Sequence, residues 1–217
     1  MRILLILVAA VMLLNSFSAC KSATAPKSFC DSVCLSDTLK FVKEDNPLKP
    51  FVYITARNCV ADTLMWSYDN MESNHKIGFP SLVGNVSINK NFISCFIRDT
   101  SYAWLKFNDC SNGRGYLIKI PYSKGQKMSW KSSAINSYDP KFVIADGLIA
   151  YSDRGNLFAE EEATGKTAMM TFGSRVEIDY DHVHETLDSV TVTPTYMRAR
   201  VKMNDEWKVI EKVVEFK

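Results

Sequence analysis

From Leu35 onward the chain never sustains a helical period. Short runs rich in Val, Ile, Phe, Tyr, Trp and Thr alternate instead with clusters of Asn, Asp, Gly, Pro and Ser. Strand-length apolar runs bounded by turn residues specify an all-β architecture. The pattern predicts strands at 39–42, 51–57, 63–68, 83–88, 92–98, 102–107, 115–121, 142–145, 148–152, 156–161, 167–172, 189–193, 196–203 and 207–216, with one short helix around 182–187. In the fifth of these, Phe92 and Phe96 fall on one face and Ile93, Cys95 and Ile97 on the other. A strand apolar on both sides is buried between two layers.

Two stretches read as one unit written twice. Residues 91–122 run strand, Asp99-Thr100-Ser101 turn, strand, Asn108 to Gly113 turn, strand; residues 146–173 run strand, Asp153-Arg154-Gly155 turn, strand, Ala163-Thr164-Gly165-Lys166 turn, strand. The second unit resembles a blade of the PQQ-like or WD-like β-propellers, which often turn through Asp-x-Gly and then Thr-Gly-Lys. Looser strand pairs at 51–68 and 196–216 bring the count to four units, the smallest propeller. The expectation is a small or degenerate β-propeller-like repeat of antiparallel meanders, with a β-sandwich as the alternative.

The N-terminus speaks to location. Met1-Arg2 precedes an apolar run from Ile3 to Leu14 and then the small and polar residues Asn15 to Ala19, the order of a secretory signal peptide. Twelve apolar residues rise only about 18 Å as a helix, too short for a stable membrane span. Phe17-Ser18-Ala19-Cys20 resembles the lipobox of bacterial lipoproteins, which implies acylation of Cys20 and a membrane partner through that lipid. The expected organisation is a signal peptide at 1–19, a lipidated cysteine and polar tether at 20–29, and one all-β domain at 30–217. Lys21 after the cysteine resembles sorting away from the inner membrane, so the expected location is the outer membrane of the cell envelope.

Export also bears on the thiols, because cysteines pair in an oxidising compartment. With Cys20 acylated, five of the six cysteines remain. Cys30 or Cys34 is expected to pair with Cys59, and Cys95 with Cys110, leaving one thiol over. The formal net charge of +2 shows no basic stripe interleaved with aromatics, which excludes a nucleic-acid partner.

Candidate chemistry is sparse. Asp179-Tyr180-Asp181-His182-Val183-His184-Glu185 holds two of the three histidines, so His182 and His184 are the candidate metal ligands. Glu160-Glu161-Glu162 and Asp153 are the acids that a hydrolase or glycan-active enzyme would use, and Glu160 and Glu162 share a strand face. No nucleophile elbow, zinc-protease motif or phosphate loop occurs, and no motif calls for a cofactor. Asp31-Ser32-Val33, Asp37-Thr38-Leu39, Asp62-Thr63-Leu64 and Asp188-Ser189-Val190 resemble the acceptor pattern of a bacterial O-glycosylation system, which implies Ser32, Thr38, Thr63 and Ser189 as candidate modification sites. Trp66, Tyr68, Trp104, Trp130 and Tyr138 are candidates for an aromatic binding platform. The functional expectation is a non-catalytic envelope module that binds a protein or a glycan.

Overall fold

The computed structural model describes residues 35–173 and 176–217. The expectations for residues 1–34, including those for Cys20, Cys30, Ser32 and Cys34, lie outside the described residues. The chain is all-β. In order it forms β1 (Leu39–Val42), β2 (Phe51–Arg57), β3 (Val60–Ser67), β4 (His75–Gly78), a one-turn helix α1 (Phe79–Val83), β5 (Ile93–Arg98), β6 (Tyr102–Asn108), β7 (Gly115–Pro121) and β8 (Ser129–Ala134). There follow β9 (Phe142–Ile144), β10 (Leu148–Asp153), β11 (Asn156–Glu161), β12 (Thr167–Met170), β13 (Leu187–Val192), β14 (Tyr196–Met203) and β15 (Glu206–Val213).

These strands form three sheets. The central one has seven strands in the order β12-β11-β10-β8-β7-β6-β5; flanking it are four-stranded sheets ordered β1-β2-β3-β4 and β15-β14-β13-β9. All pairings are antiparallel except β13 with β9. Local chemistry sets the hairpins. Asn58-Cys59, Arg154-Gly155 and Asn204-Asp205 all have positive φ at both turn positions. Such turns match the right-handed twist of the strands they join.

The two units written alike in the sequence are the two ends of the central sheet, β5–β7 and β10–β12. Each packs its outer face on one of the small sheets. Ala103, Leu105, Phe107, Ile118 and Ile120 join Val52, Ile54 and Leu64 in one core, while Ala150, Leu157, Ala159 and Met170 join Val190, Met197, Ala199 and Val201 in another. Alternation dictates this, since in β2 Val52 and Ile54 are fully buried between the half-buried Phe51, Tyr53 and Thr55. The double-sided reading of the fifth strand also appears in the packing. Ile93 and Ile97 lie in the first core, and Phe96 packs on a small third cluster on the opposite face.

Two expectations are corrected. The strand expected at 83–88 is instead the end of α1 followed by irregular chain. Val86 and Ile88 are buried as their alternation requires, but their neighbour is a turn, with Cys110 N–H donating to Ser87 O (2.8 Å) and Ser87 N–H to Asp109 Oδ1 (3.1 Å). The Cys95–Cys110 bridge is absent. Cys59 and Cys110 each take part in a disulfide, whereas Cys95 is a free thiol. The register places Cys95 opposite Leu105, well down the ladder from the turn that carries Cys110. Burial pushes its pKa up.

Among the described residues no helix is long and apolar enough to cross a membrane.

Candidate ligand-binding face

The central sheet is curled. In a flat sheet β7 and β11, with two strands between them, would lie about 14 Å apart. Here Lys119 Nζ on β7 stands 3.2 Å from Glu160 Oε1 on β11. The bend is concentrated where β8 meets β10, since only Tyr151 and Ala134 pair across that seam, helped by Ile135 N–H donating to Ala150 O (2.9 Å). A bulge between Gly115 and Leu117, where β7 meets β8, adds to the local twist.

The inner face of this curl carries three lysines on three successive strands, each with its own carboxylate. Lys106 meets Glu162 at 2.7 Å, Lys119 meets Glu160 at 3.2 Å, and Lys131 meets Asp153 at 3.1 Å. The row grades from dry to wet: the acid's side chain is 7% exposed in the first pair, 12% in the second and 45% in the third. Aromatic rings separate the pairs. Lys119 Nζ sits 4.6 Å from the Tyr102 ring centroid and 4.9 Å from that of Trp104, and Lys131 Nζ 5.0 Å from that of Tyr151. At such distances the ring face attracts the ammonium. Tyr151 stacks on Phe158 at 5.4 Å, and burial, then the charges of Glu160 and Asp153, raise its phenol pKa.

Two cavities open on this face. One, of about 200 Å³, is lined by Trp104, Trp130, Tyr151, Lys119, Lys131 and Glu160. Trp104 is buried, and its Nε1–H has no acceptor among the described residues, whereas Trp130 is half exposed. The other, of about 400 Å³, is lined by Ser94, Lys106, Asn136, Tyr138 and Glu162 among others. Tyr102 Oη–H donates to the backbone oxygen of Glu162 (2.7 Å), which fixes the wall between β6 and the end of β11.

The expected platform of five aromatics is thus divided. Trp104 and Trp130 both border the smaller cavity and Tyr138 the larger, but Trp130 is paired with Ile118 of the first core, so its side chain leaves β8 on the face opposite Lys131. Trp66 is buried in the first core, donating Nε1–H to Pro121 O (2.8 Å), and Tyr68 packs against the same core. Glu160, Glu162 and Asp153 share the concave face, as strand periodicity requires, while Glu161 points away and accepts from Thr164 Oγ1 in the following turn. Sequence reading missed the lysines. Their signal is a charge recurring inside otherwise apolar strands, as in Tyr102-x-Trp104-x-Lys106 and Leu117-x-Lys119.

His182 and His184 lie elsewhere, around a 3₁₀ turn (Val183–Glu185) that stands where the short helix was expected. They do not converge. His182 Nδ1 meets Asp179 Oδ2 at 3.2 Å; His184 Nε2 meets Asp139 Oδ2 at 2.7 Å while its Nδ1 is 3.2 Å from Leu187 O. Among the described residues no group of three or more His, Cys, Asp or Glu is placed to hold a metal. The Asp139 hydrogen bond raises the pKa of His184 against the opposing effect of its partial burial. The stabilisation from this pair is therefore fully present below the unfolded-state value near 6.5 and is lost as pH rises through the folded value. NMR titration of the imidazole should give a midpoint above that of a free histidine, and His184→Gln should flatten the stability profile across the same window. An unshifted midpoint would remove the pair from the account of stability.

The candidate glycosylation residues differ in access. Thr38 is exposed before β1, whereas Thr63 and Ser189 are half-buried in paired strands, Thr63 accepting a place in the ladder where its N–H donates to Thr55 Oγ1 (3.2 Å).

No protein family, no curated protein and no solved structure matches this chain.

Proposed function

We propose that this chain is a non-catalytic binding module of the bacterial envelope, held at a membrane by a lipid on Cys20, and that it binds a glycan on the concave face of its curled sheet. The observation that carries the binding site is the row of lysine–carboxylate pairs set between aromatic rings, beside the buried and unpartnered Nε1–H of Trp104. A sugar ring presents hydroxyls that donate and accept together, and a C–H face that packs on an aromatic ring. Each lysine–carboxylate pair offers a donor and an acceptor side by side, and the half-buried Tyr151 offers an aromatic face. Because every lysine is matched by an acid, the face has no net positive field to gather anions. That favours a neutral sugar over an acidic one.

The same matching argues against a hydrolase. Glycoside hydrolysis asks one carboxyl to donate a proton while a second acts on the opposite face of the ring, whereas Glu160 and Asp153 are each tied to an ammonium.

The test is tryptophan fluorescence of the full chain titrated with a panel of neutral mono- and oligosaccharides, with reducing ends assayed in parallel. Saturable quenching without new reducing ends is the expected result, with about tenfold or greater weakening in Tyr151→Ala and Lys119→Ala, the loss of one stacking or charge-assisted contact. Release of reducing ends would replace the binding reading with the hydrolase one, and no quenching across the panel would remove the glycan. Membrane fractionation of wild type beside Cys20→Ala tests the anchor.

A further inference from the structure

β15 is the free edge of the second four-stranded sheet. It pairs with β14 residue for residue, from Glu206 opposite Met203 to Val213 opposite Tyr196, with no bulge. Among the described residues its backbone bonds to no other strand. Edges of this length are normally blunted by proline, by a bulge or by a covering segment. Along β15 there is no proline, bulge or covering segment among the described residues; its one guard is charge, with Glu206, Lys208 and Lys212 on the inward face and Glu211 on the outward one. The outward face also carries Trp207, Val209 and Val213, which are 38%, 46% and 83% exposed.

We propose that β15 pairs antiparallel with β15 of a second copy of this chain, about a twofold axis that passes through Val209. The charges along the strand select both the partner and the register. A twofold axis perpendicular to the sheet keeps each residue on its own face, so residues brought opposite one another differ by an even number. Centring on Lys208, Glu211 or Lys212 sets that residue's charge against its own copy, and centring on Ile210 sets Lys208 against Lys212. Like charges directly opposite are destabilising. Centring on Trp207 draws in Asn204 and Asp205, whose positive φ turns them out of the strand. Centring on Val209 sets Glu206 against Lys212 twice, Trp207 against Glu211, Lys208 against Ile210 and Val209 against itself, with no like charges opposed. The lysines that would repel a slipped strand leave this one alignment open. The resulting interface joins the two outer edges into one continuous eight-stranded sheet.

The experiment is sedimentation of the full chain over a concentration series, with single-cysteine cross-linking analysed on non-reducing gels. Opposed residues in an antiparallel pair have Cα atoms about 4.5–5.5 Å apart, within the range a disulfide spans. Wild type is expected to dimerise reversibly, V209C to form a covalent dimer under mild oxidation, and I210C not to do so. E206K sets lysine against Lys212 at both ends and should weaken the dimer about tenfold, with E206K/K212E restoring it. A chain that stays monomeric throughout while V209C remains uncrosslinked overturns the proposal. Cross-linking of I210C as readily as V209C overturns the register and with it the charge argument.

Discussion

Gly115→Ala is expected to destabilise the protein by about 3 kcal/mol, at the upper end of overpacking costs, and to loosen the concave face as it does so. A Cβ at Gly115 would lie 2.2 Å from the carbonyl oxygen of Ala134 and 2.9 Å from its carbonyl carbon. Both atoms belong to the backbone of β8, so no side chain can swing aside. Ala134 is opposite Gly115 on one side and opposite Tyr151 on the other, which makes it the residue that joins the two ends of the central sheet. Pushing it away opens the seam on which the curl depends. Gly113→Ala is the matched control, since Gly113 has positive φ but open space around its Cβ position. Its cost is the backbone term alone, about 1 kcal/mol. Urea denaturation of both variants checks the contrast, and equal losses would show that the close approach at Ala134 is of no consequence.

Glu162→Ala should cost about 3 kcal/mol, because it strands the Lys106 ammonium beside a cavity with no partner of opposite charge. The figure sits at the low end for a broken buried pair because Lys106 keeps 24% of its side-chain surface in water. Removing both charges tests the cause. Lys106→Met with Glu162→Leu should recover most of the loss, since two apolar side chains of similar size need no partner. If the double variant is as unstable as the single one, the loss arises from packing and not from the unpaired charge. Saccharide titration of the double variant then separates the role of this pair in binding from its role in the fold.

Much of this fold is written locally. Gly115–Pro121, Asn156–Glu161 and Tyr196–Met203 stand where alternation and turn residues put them, and the two similar units are the two ends of one sheet. What escaped has a physical reason in each case. β8 reads Ser-Trp-Lys-Ser-Ser-Ala, a polar run that no hydrophobic pattern marks, and it is a strand because its neighbours on both sides need a partner. α1 spans five residues, too few for a 3.6-residue period to declare itself, and is set by Pro80 in its first turn and by burial of Phe79 and Leu82. The candidate face was half visible. Periodicity placed Glu160 and Glu162 on one side of β11, but the lysines opposite come from strands up to 56 residues away, and only the curl brings them into contact. Which side of a sheet closes on itself is a property of register and bulges across strands, and spacing along one strand does not contain it.

The separation of the interior into two cores has a thermodynamic side. The first core draws on residues 35–122 and the second on 135–214, so each is assembled from its own stretch of chain, and the two meet at one seam: the β8–β10 junction, the lysine–carboxylate pairs that cross the curl, and the small cluster of Trp104, Leu117, Ala134 and Ile149. Cooperativity between them therefore passes through this seam, and each core resembles a folding unit whose separate opening first requires the seam to part. A ligand seated in the curl touches strands from both and holds them at a fixed angle. Binding would then be felt less as added stability in either unit than as tighter coupling between them, so that two partly independent unfolding events merge toward one.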